Sequence, residues 1–357
     1  MAIILLCQRR SHRAPAPDLS QPTRLPKRRK PTAESRIGQY RCQRDLSLGA
    51  RTVAEPIPHF DVELEDVSGR LAELVEPGTN LQRIAGGLGF TEGPVWRGDH
   101  LLFSDIPNDR ICRWRQLPEG PELTTFRAYN GSTNGLTLDR EGRLLGCTHG
   151  ARAVLRFDQN NQPTPIATHV NGGRLNSPND IVVKRNGDIY FTDPPYGIID
   201  LPPEAQEQPI CGVYRLGING ALTLLTDRFL KPNGLAFSPD EQTLYIGDSG
   251  GPRDIWAFDV TDDGTLDNPR QFVDMDPYPE PNNPDGMKCD MNGRLWSTGP
   301  GNAVWVVERD GTVVGLIKFP EQPANLAWGG PTWSTLFVTA RGSVYRVQTN
   351  ATGVRVP

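Results

Sequence analysis

From residue 85 onward, short apolar runs alternate with polar turns, and the pattern recurs with a period of roughly 40–55 residues. Each repeat opens with a polar residue followed by a short apolar strand. The six openings are Glu92-Gly-Pro-Val-Trp96, Asn134-Gly-Leu-Thr-Leu138, Asn179-Asp-Ile-Val-Val183, Asn233-Gly-Leu-Ala-Phe237, Asp285-Gly-Met-Lys-Cys289 and Asn325-Leu-Ala-Trp328. After a hairpin-like turn such as Arg185-Asn-Gly187 or Met291-Asn-Gly293, a second strand follows, as in Leu101-Leu-Phe-Ser-Asp105 and Leu244-Tyr-Ile-Gly-Asp248. A third strand completes the unit, as in Gly212-Val-Tyr-Arg-Leu216 and Ser343-Val-Tyr-Arg-Val347. Six multi-strand repeats predict an all-β chain folded as a six-bladed β-propeller. Residues 81–85 precede the first full blade and are expected to supply a strand to the last one, closing the ring and removing its edges.

Composition agrees with a turn-rich β protein. Gly (37) and Pro (33) are too abundant among 357 residues for a helical bundle. The net charge of −4 hides a split. Residues 1–50 carry 11 Lys/Arg against 3 Asp/Glu, a balance of +8, so the remainder carries −12. Residues 1–55 lack hydrophobic periodicity and are expected to form a disordered basic extension, with residues 56–357 as the propeller domain. The acidic body gives no reason to expect nucleic acid as a partner. No apolar run reaches the roughly 20 residues of a membrane span. The six cysteines show no zinc spacing and read as reduced thiols, and no convincing secretion signal opens the chain, so a cytoplasmic location is expected, as a monomer or homodimer.

The inner strand of each propeller blade lines the axis. Glu92, Asn134, Asn179, Asn233, Asp285 and Asn325 are therefore expected to converge at one end of the channel, all offering oxygen. The second strands return to that end and are expected to add Asp105, His149, Asp193 and Asp248 around the rim. Carboxylates mixed with amide oxygens describe a hard-cation site, which suits Ca²⁺ better than Zn²⁺. Asn-Gly and Asp-Gly also open turns, but a glutamate at the same register in the first repeat is no turn former. His149 is a candidate for substrate contact or proton handling. No Gly-x-Ser-x-Gly nucleophile elbow sits in a strand-helix context, and no phosphate-cradling loop is present.

The strings Thr91-Glu-Gly-Pro-Val-Trp96, Leu175-Asn-Ser-Pro-Asn-Asp180, Tyr190-Phe-Thr-Asp-Pro-Pro-Tyr-Gly197, Lys231-Pro-Asn-Gly-Leu-Ala-Phe-Ser-Pro-Asp240 and Pro284-Asp-Gly-Met287 resemble the gluconolactonase, senescence marker protein (regucalcin) and luciferin-regenerating enzyme family. The resemblance is closest to bacterial gluconolactonases and covers roughly residues 80–350. It implies a six-bladed propeller with a divalent metal at the axis, usually Ca²⁺, with Zn²⁺, Mg²⁺ or Mn²⁺ as other occupants. It places the metal ligands on Glu92, Asn179, Asn233 and Asp285, and implies hydrolysis of a sugar lactone by water. Asp285 is the expected general base and His149 the second choice. Asn134, Asn325, His149, Ser177 and Tyr196 are expected to meet the substrate. Ser177 stands where the regucalcin-like branch has an arginine that meets sugar hydroxyls. The inserts at 194–211 and 275–284 leave the metal-bearing end and are candidates for the pocket wall. Two other readings keep the site: hydrolysis of an organophosphate or aryl ester, and a non-catalytic Ca²⁺-binding propeller.

Overall fold

The structure is a computed structural model and describes residues 58–356. The expected disordered extension over residues 1–55, and the start of the expected propeller domain at residue 56, lie outside the described residues. The described chain is almost entirely antiparallel β-sheet arranged as six blades. Blade 1 runs outward from the axis through Thr91–Arg97, His100–Asp105, Arg110–Leu117 and Gly120–Ala128. Blades 2, 3 and 4 repeat that order, with inner strands Thr133–Leu138, Ile181–Val183 and Pro232–Phe237. Blade 5 has its inner strand at Met287–Cys289, and blade 6 at Pro323–Gly329.

The ring closes as the repeat pattern predicts. Blade 6 takes three strands from the C-terminal end of the chain and the next from Asn80–Ala85, which pairs antiparallel with Ser343–Gln348. The segment before it does more than expected. His59–Asp61 pairs outside Asn80–Ala85, and Glu63–Asp66 adds a fifth strand to blade 5 by pairing with Val313–Lys318. The N-terminal end of the described chain thus covers the outer edges of two neighbouring blades, where unpaired backbone groups would otherwise face water. Among the described residues one short α-helix, Leu71–Leu74, buries Leu71 and Leu74 against blades 5 and 6.

Blades hold together through apolar faces. Leu145, Cys147 and Val154 of blade 2 pack on Ile181, Phe191 and Tyr214 of blade 3. Trp296 and Trp328 meet edge-on at 5.0 Å between blades 5 and 6, and Trp96 stacks on Phe337 at 5.2 Å across the closing seam. Such aromatic pairs add roughly 0.5–1.5 kcal/mol beyond their burial. Among the described residues, no helix is long and apolar enough to cross a membrane.

At the axis the inner strands come closer than side chains allow. A Cβ on Gly234 would overlap the carbonyl oxygen of Asp285 in the next blade, and one on Gly135 would lie 2.6 Å from the carbonyl oxygen of Asn179. The obstacle at Gly234 is backbone, which cannot rotate away. We expect Gly234→Ala to destabilise the protein by about 3 kcal/mol, read as a lowered denaturation midpoint in urea. An unchanged midpoint would mean that the inner strands do not need this approach.

Candidate functional site

The close approach gathers the polar residue that opens each inner strand. Glu92, Asn134, Asn179, Asn233 and Asp285 form one ring around the axis, the first four buried and Asp285 partly open to the channel. Their amides form a chain with one direction. Asn134 Nδ2 donates to Asn179 Oδ1 at 2.6 Å, Asn179 Nδ2 to Asn233 Oδ1 at 2.5 Å, and Asn233 Nδ2 to Ser249 Oγ at 3.0 Å. Ser249 Oγ then donates to the carbonyl oxygen of Pro284 at 2.6 Å.

The sixth repeat departs from the expected register. Pro323 pairs with Ala340 as Pro232 pairs with Asp248, and Leu326 pairs with Val338 as Leu235 pairs with Ile246. Ala324 therefore holds the ring position and Asn325 lies one residue deeper. The hydrogen bonds agree: Gly135 N donates to Asn179 O in the ring, and Gly286 N donates to Ala324 O. Asn325 does not present a free amide to a substrate. Its Nδ2 donates to Glu92 Oε2 at 3.0 Å and lies 3.4 Å from Asp180 Oδ2, while its Oδ1 accepts from Leu326 N at 2.8 Å and lies 3.4 Å from Lys288 Nζ.

Asp180 shares this deeper level and was missing from the expected site. It occupies the position that is glycine in the second, fourth and fifth repeats. A Cβ on Gly135 would lie 2.7 Å from Asp180 Oδ1, so the glycine makes the room that the carboxylate fills. The signal in the sequence was the single Asn-Asp among Asn-Gly and Asp-Gly openings. Burial, and then the Asp180 charge, push the Glu92 carboxyl up to about 7. Burial, followed by the charges of Glu92 and Asp180, hold Asp285 well above the usual carboxylate range. Carboxylates gathered so closely that the Asp180 charge raises both Glu92 and Asp285 favour a cation among them. Among the described residues, no three His, Cys, Asp or Glu side chains are grouped closely enough to hold a metal by themselves. The donors are carboxylates interleaved with amides, which fits a hard oxygen-seeking ion and not Zn²⁺.

The second strands also carry a one-residue shift. Thr148 pairs with Thr133 as Asp105 pairs with Thr91 and Asp248 with Pro232. His149 therefore lies one position beyond the rim aspartates, and a one-residue step turns a strand side chain to the other side. The consequence separates two roles. Asp105 accepts from Gly89 N at 3.0 Å, Asp193 from Asn176 N and Ser177 N at 2.7 Å each, and Asp248 from Leu230 N at 3.0 Å and Lys231 N at 2.9 Å. Each aspartate clamps the loop that leads into its own blade, and none is free to orient a ligand. His149 instead reaches the ring, its Nε2 lying 3.1 Å from both Asn134 Nδ2 and Asn179 Oδ1. Burial pulls its pKa down to about 4, so the imidazole is neutral near pH 7. Ser249 shares this register, and its place in the amide chain was not foreseen.

Of the other expected substrate contacts, Ser177 is buried and its Oγ accepts from Gly197 N at 2.7 Å. That bond ties the first turn of the 194–211 insert to the loop before Asn179. The turn Tyr196–Ile198 brings Tyr196 beside Ser249 and within reach of the Asp285 charge. Lys231 Nζ lies 5.7 Å from the centre of the Tyr196 ring.

Comparison with known proteins identifies the family. Residues 90–342 match the family model described as SMP-30/Gluconolactonase/LRE-like region. A gluconolactonase of Zymomonas mobilis is 32% identical over 309 residues, covering 80% of this chain and 86% of its own. Pentonolactonase XacC of Haloferax volcanii is 27% identical over 270 residues, covering 70% and 81%. Among solved structures, a gluconolactonase from Xanthomonas campestris superposes with a TM-score of 0.74 at 33% identity, covering 83% of this chain and 99% of that one. The chain belongs to the SMP-30/gluconolactonase/LRE-like family.

Proposed function

We propose that this chain opens sugar lactones, using a divalent cation, Ca²⁺ in first place, held by Glu92, Asn179, Asn233 and Asp285. Its assignment as a carboxylic-ester hydrolase of the lactonase type rests on the family and on the gluconolactonase and pentonolactonase relatives. The observation that carries the metal reading is the convergence of the Glu92, Asp180 and Asp285 carboxylates, the first two buried, with amide oxygens around one axis. A cation bound there would polarise the lactone carbonyl and stabilise the oxyanion as it develops.

The chain's own residues supply the rest. Asp285 is the carboxylate of the ring whose residue is only partly buried, which makes it the candidate to meet water. It takes the proton from the attacking water, with Asn233 as its neighbour in the ring. His149 is less suited to that step, because its Nε2 already faces Asn134 and Asn179. It keeps those two amides in register. Tyr196 and Ser249 form the wall beside Asp285 and are the side chains best placed to meet sugar hydroxyls. Hydrolysis of an aryl ester or organophosphate would use the same ring, and a panel of substrates separates these readings.

A pH-stat assay with D-glucono-δ-lactone tests the proposal. Chelation should abolish turnover and added Ca²⁺ should restore it. Asp285→Asn should lower kcat between about a hundred-fold and ten-thousand-fold, the usual worth of a general base. Turnover indifferent to both the chelator and the substitution would overturn the mechanism. Ion binding without turnover of any ester would point to a binding protein.

The lowered His149 pKa sets a second test, in metal-free protein. A folded pKa of about 4 lies below the ordinary value of 6.5, so the unfolded chain binds the proton more readily. The stability that neutral His149 contributes is complete above pH 6.5 and is lost as the pH falls towards 4. We expect the wild-type protein to lose at most about 2 kcal/mol more than His149→Gln between pH 7 and pH 5, by urea denaturation. Parallel curves for the two proteins would show that the imidazole is not held neutral by burial.

A further inference from the structure

We propose that Lys288 is the built-in counter-charge of the carboxylate ring and fixes its preference for a divalent over a trivalent cation. This rests on the metal reading above and goes beyond it to a residue that coordinates nothing.

Lys288 lies on the inner strand of blade 5, three positions past Asp285. Its neighbours Met287 and Cys289 are buried in the blade core, so strand alternation turns Lys288 towards the axis. Its Nζ donates to Met287 O at 2.9 Å and lies 3.4 Å from Asn325 Oδ1. The Asn325 amide is thereby oriented with its oxygen towards the ammonium and its nitrogen towards Glu92 and Asp180, at 3.0 and 3.4 Å. A single amide thus spaces one cation from two carboxylates with its dipole aligned between them. The equivalent positions of blades 2, 3, 4 and 6 hold Thr137, Val182, Ala236 and Ala327, none of them charged. The Lys288 charge also acts on Glu92 in the direction that favours its ionised form.

The balance of charge follows. Glu92, Asp180 and Asp285 bring three negative charges when ionised and Lys288 one positive, leaving −2 at the axis. A divalent ion neutralises that balance and a trivalent ion exceeds it. Without Lys288 the ring would carry −3, and the advantage would pass to the trivalent ion.

The experiment measures dissociation constants of Ca²⁺ and Tb³⁺ by calorimetry for wild type, Lys288→Met and Lys288→Arg. Matched thermal unfolding confirms that each variant is folded. We expect Lys288→Met to raise the affinity for Tb³⁺ relative to Ca²⁺ by about ten-fold, the size of one added charge interaction in a partly buried site. Lys288→Arg should keep the wild-type ratio, which a purely steric role for the lysine would not predict. If Lys288→Met fails to fold, Lys288→Gln makes the same comparison. An unchanged ratio in a neutral variant that still binds both ions would overturn the role of Lys288 and leave the metal site standing. Failure of the wild-type protein to bind either ion would overturn the metal reading, and this inference with it.

Discussion

Three carboxylates gathered around one axis are a repulsive arrangement, and the propeller is organised so that it persists. Glu92, Asp180 and Asp285 come from blades 1, 3 and 5, so no single strand or hairpin holds two of them. They meet only because the ring is closed, and the ring is closed by Asn80–Ala85 pairing with Ser343–Gln348. The apolar seams between blades, such as Trp96 on Phe337 and Trp296 on Trp328, therefore act against the charges at the centre. The glycines belong to the same constraint. Gly135 yields space to Asp180 and Gly286 to Asn325, so two of the six inner strands can place a polar side chain one level deeper than the ring. The site is thus a property of the whole circle.

The fold was legible because the hydrophobic period repeats six times and each copy checks the others. The site was legible to within one residue, and the two slips have one cause. Aligned on its apolar core, Pro323-Ala-Asn-Leu-Ala-Trp328 falls under Pro232-Asn-Gly-Leu-Ala-Phe237 with Asn325 opposite Gly234. Likewise Leu144-Leu-Gly-Cys-Thr148 falls under Leu101-Leu-Phe-Ser-Asp105, with Thr148 opposite Asp105. Aligning on polar residues instead assigned Asn325 to the ring and His149 to the rim. In a strand each such step turns a side chain over, so both assignments placed the residue at the wrong level or on the wrong side. Asp180 was legible in principle as the one repeat where glycine gives way to aspartate. Ser249 was not, since a serine after a strand carries no chemical signature until its partners, Asn233 and Pro284, are known.

The rim aspartates illustrate a different gap between pattern and role. Asp105, Asp193 and Asp248 recur at one register, as functional residues often do, yet each spends its carboxylate on backbone amides of its own blade's entry loop. Their repetition reflects repetition of the loop problem. A buried loop must satisfy its N–H groups, and an acceptor on the neighbouring strand is a local way to do so. By contrast, His149 and Ser249 stand at the register that faces the ring, and they differ between blades as residues fitted to a single site do.

The direction of the amide chain limits what each ring member can offer a bound ion. From Asn134 to Asn179 to Asn233 to Ser249, every nitrogen is a donor to the next oxygen, and the run ends on the Pro284 carbonyl. Asn179 and Asn233 are thereby fixed with their oxygens as acceptors; Asn179 Oδ1 also lies 3.1 Å from His149 Nε2, while Asn233 Oδ1 accepts one hydrogen bond and keeps a second lone pair. The terminal link, Ser249 to Pro284, anchors the chain to the backbone residue just before Asp285. Through that link the orientation of the amide oxygens and the position of the proposed base are set by the same few bonds, and Tyr196, beside Ser249, brings the pocket wall to both.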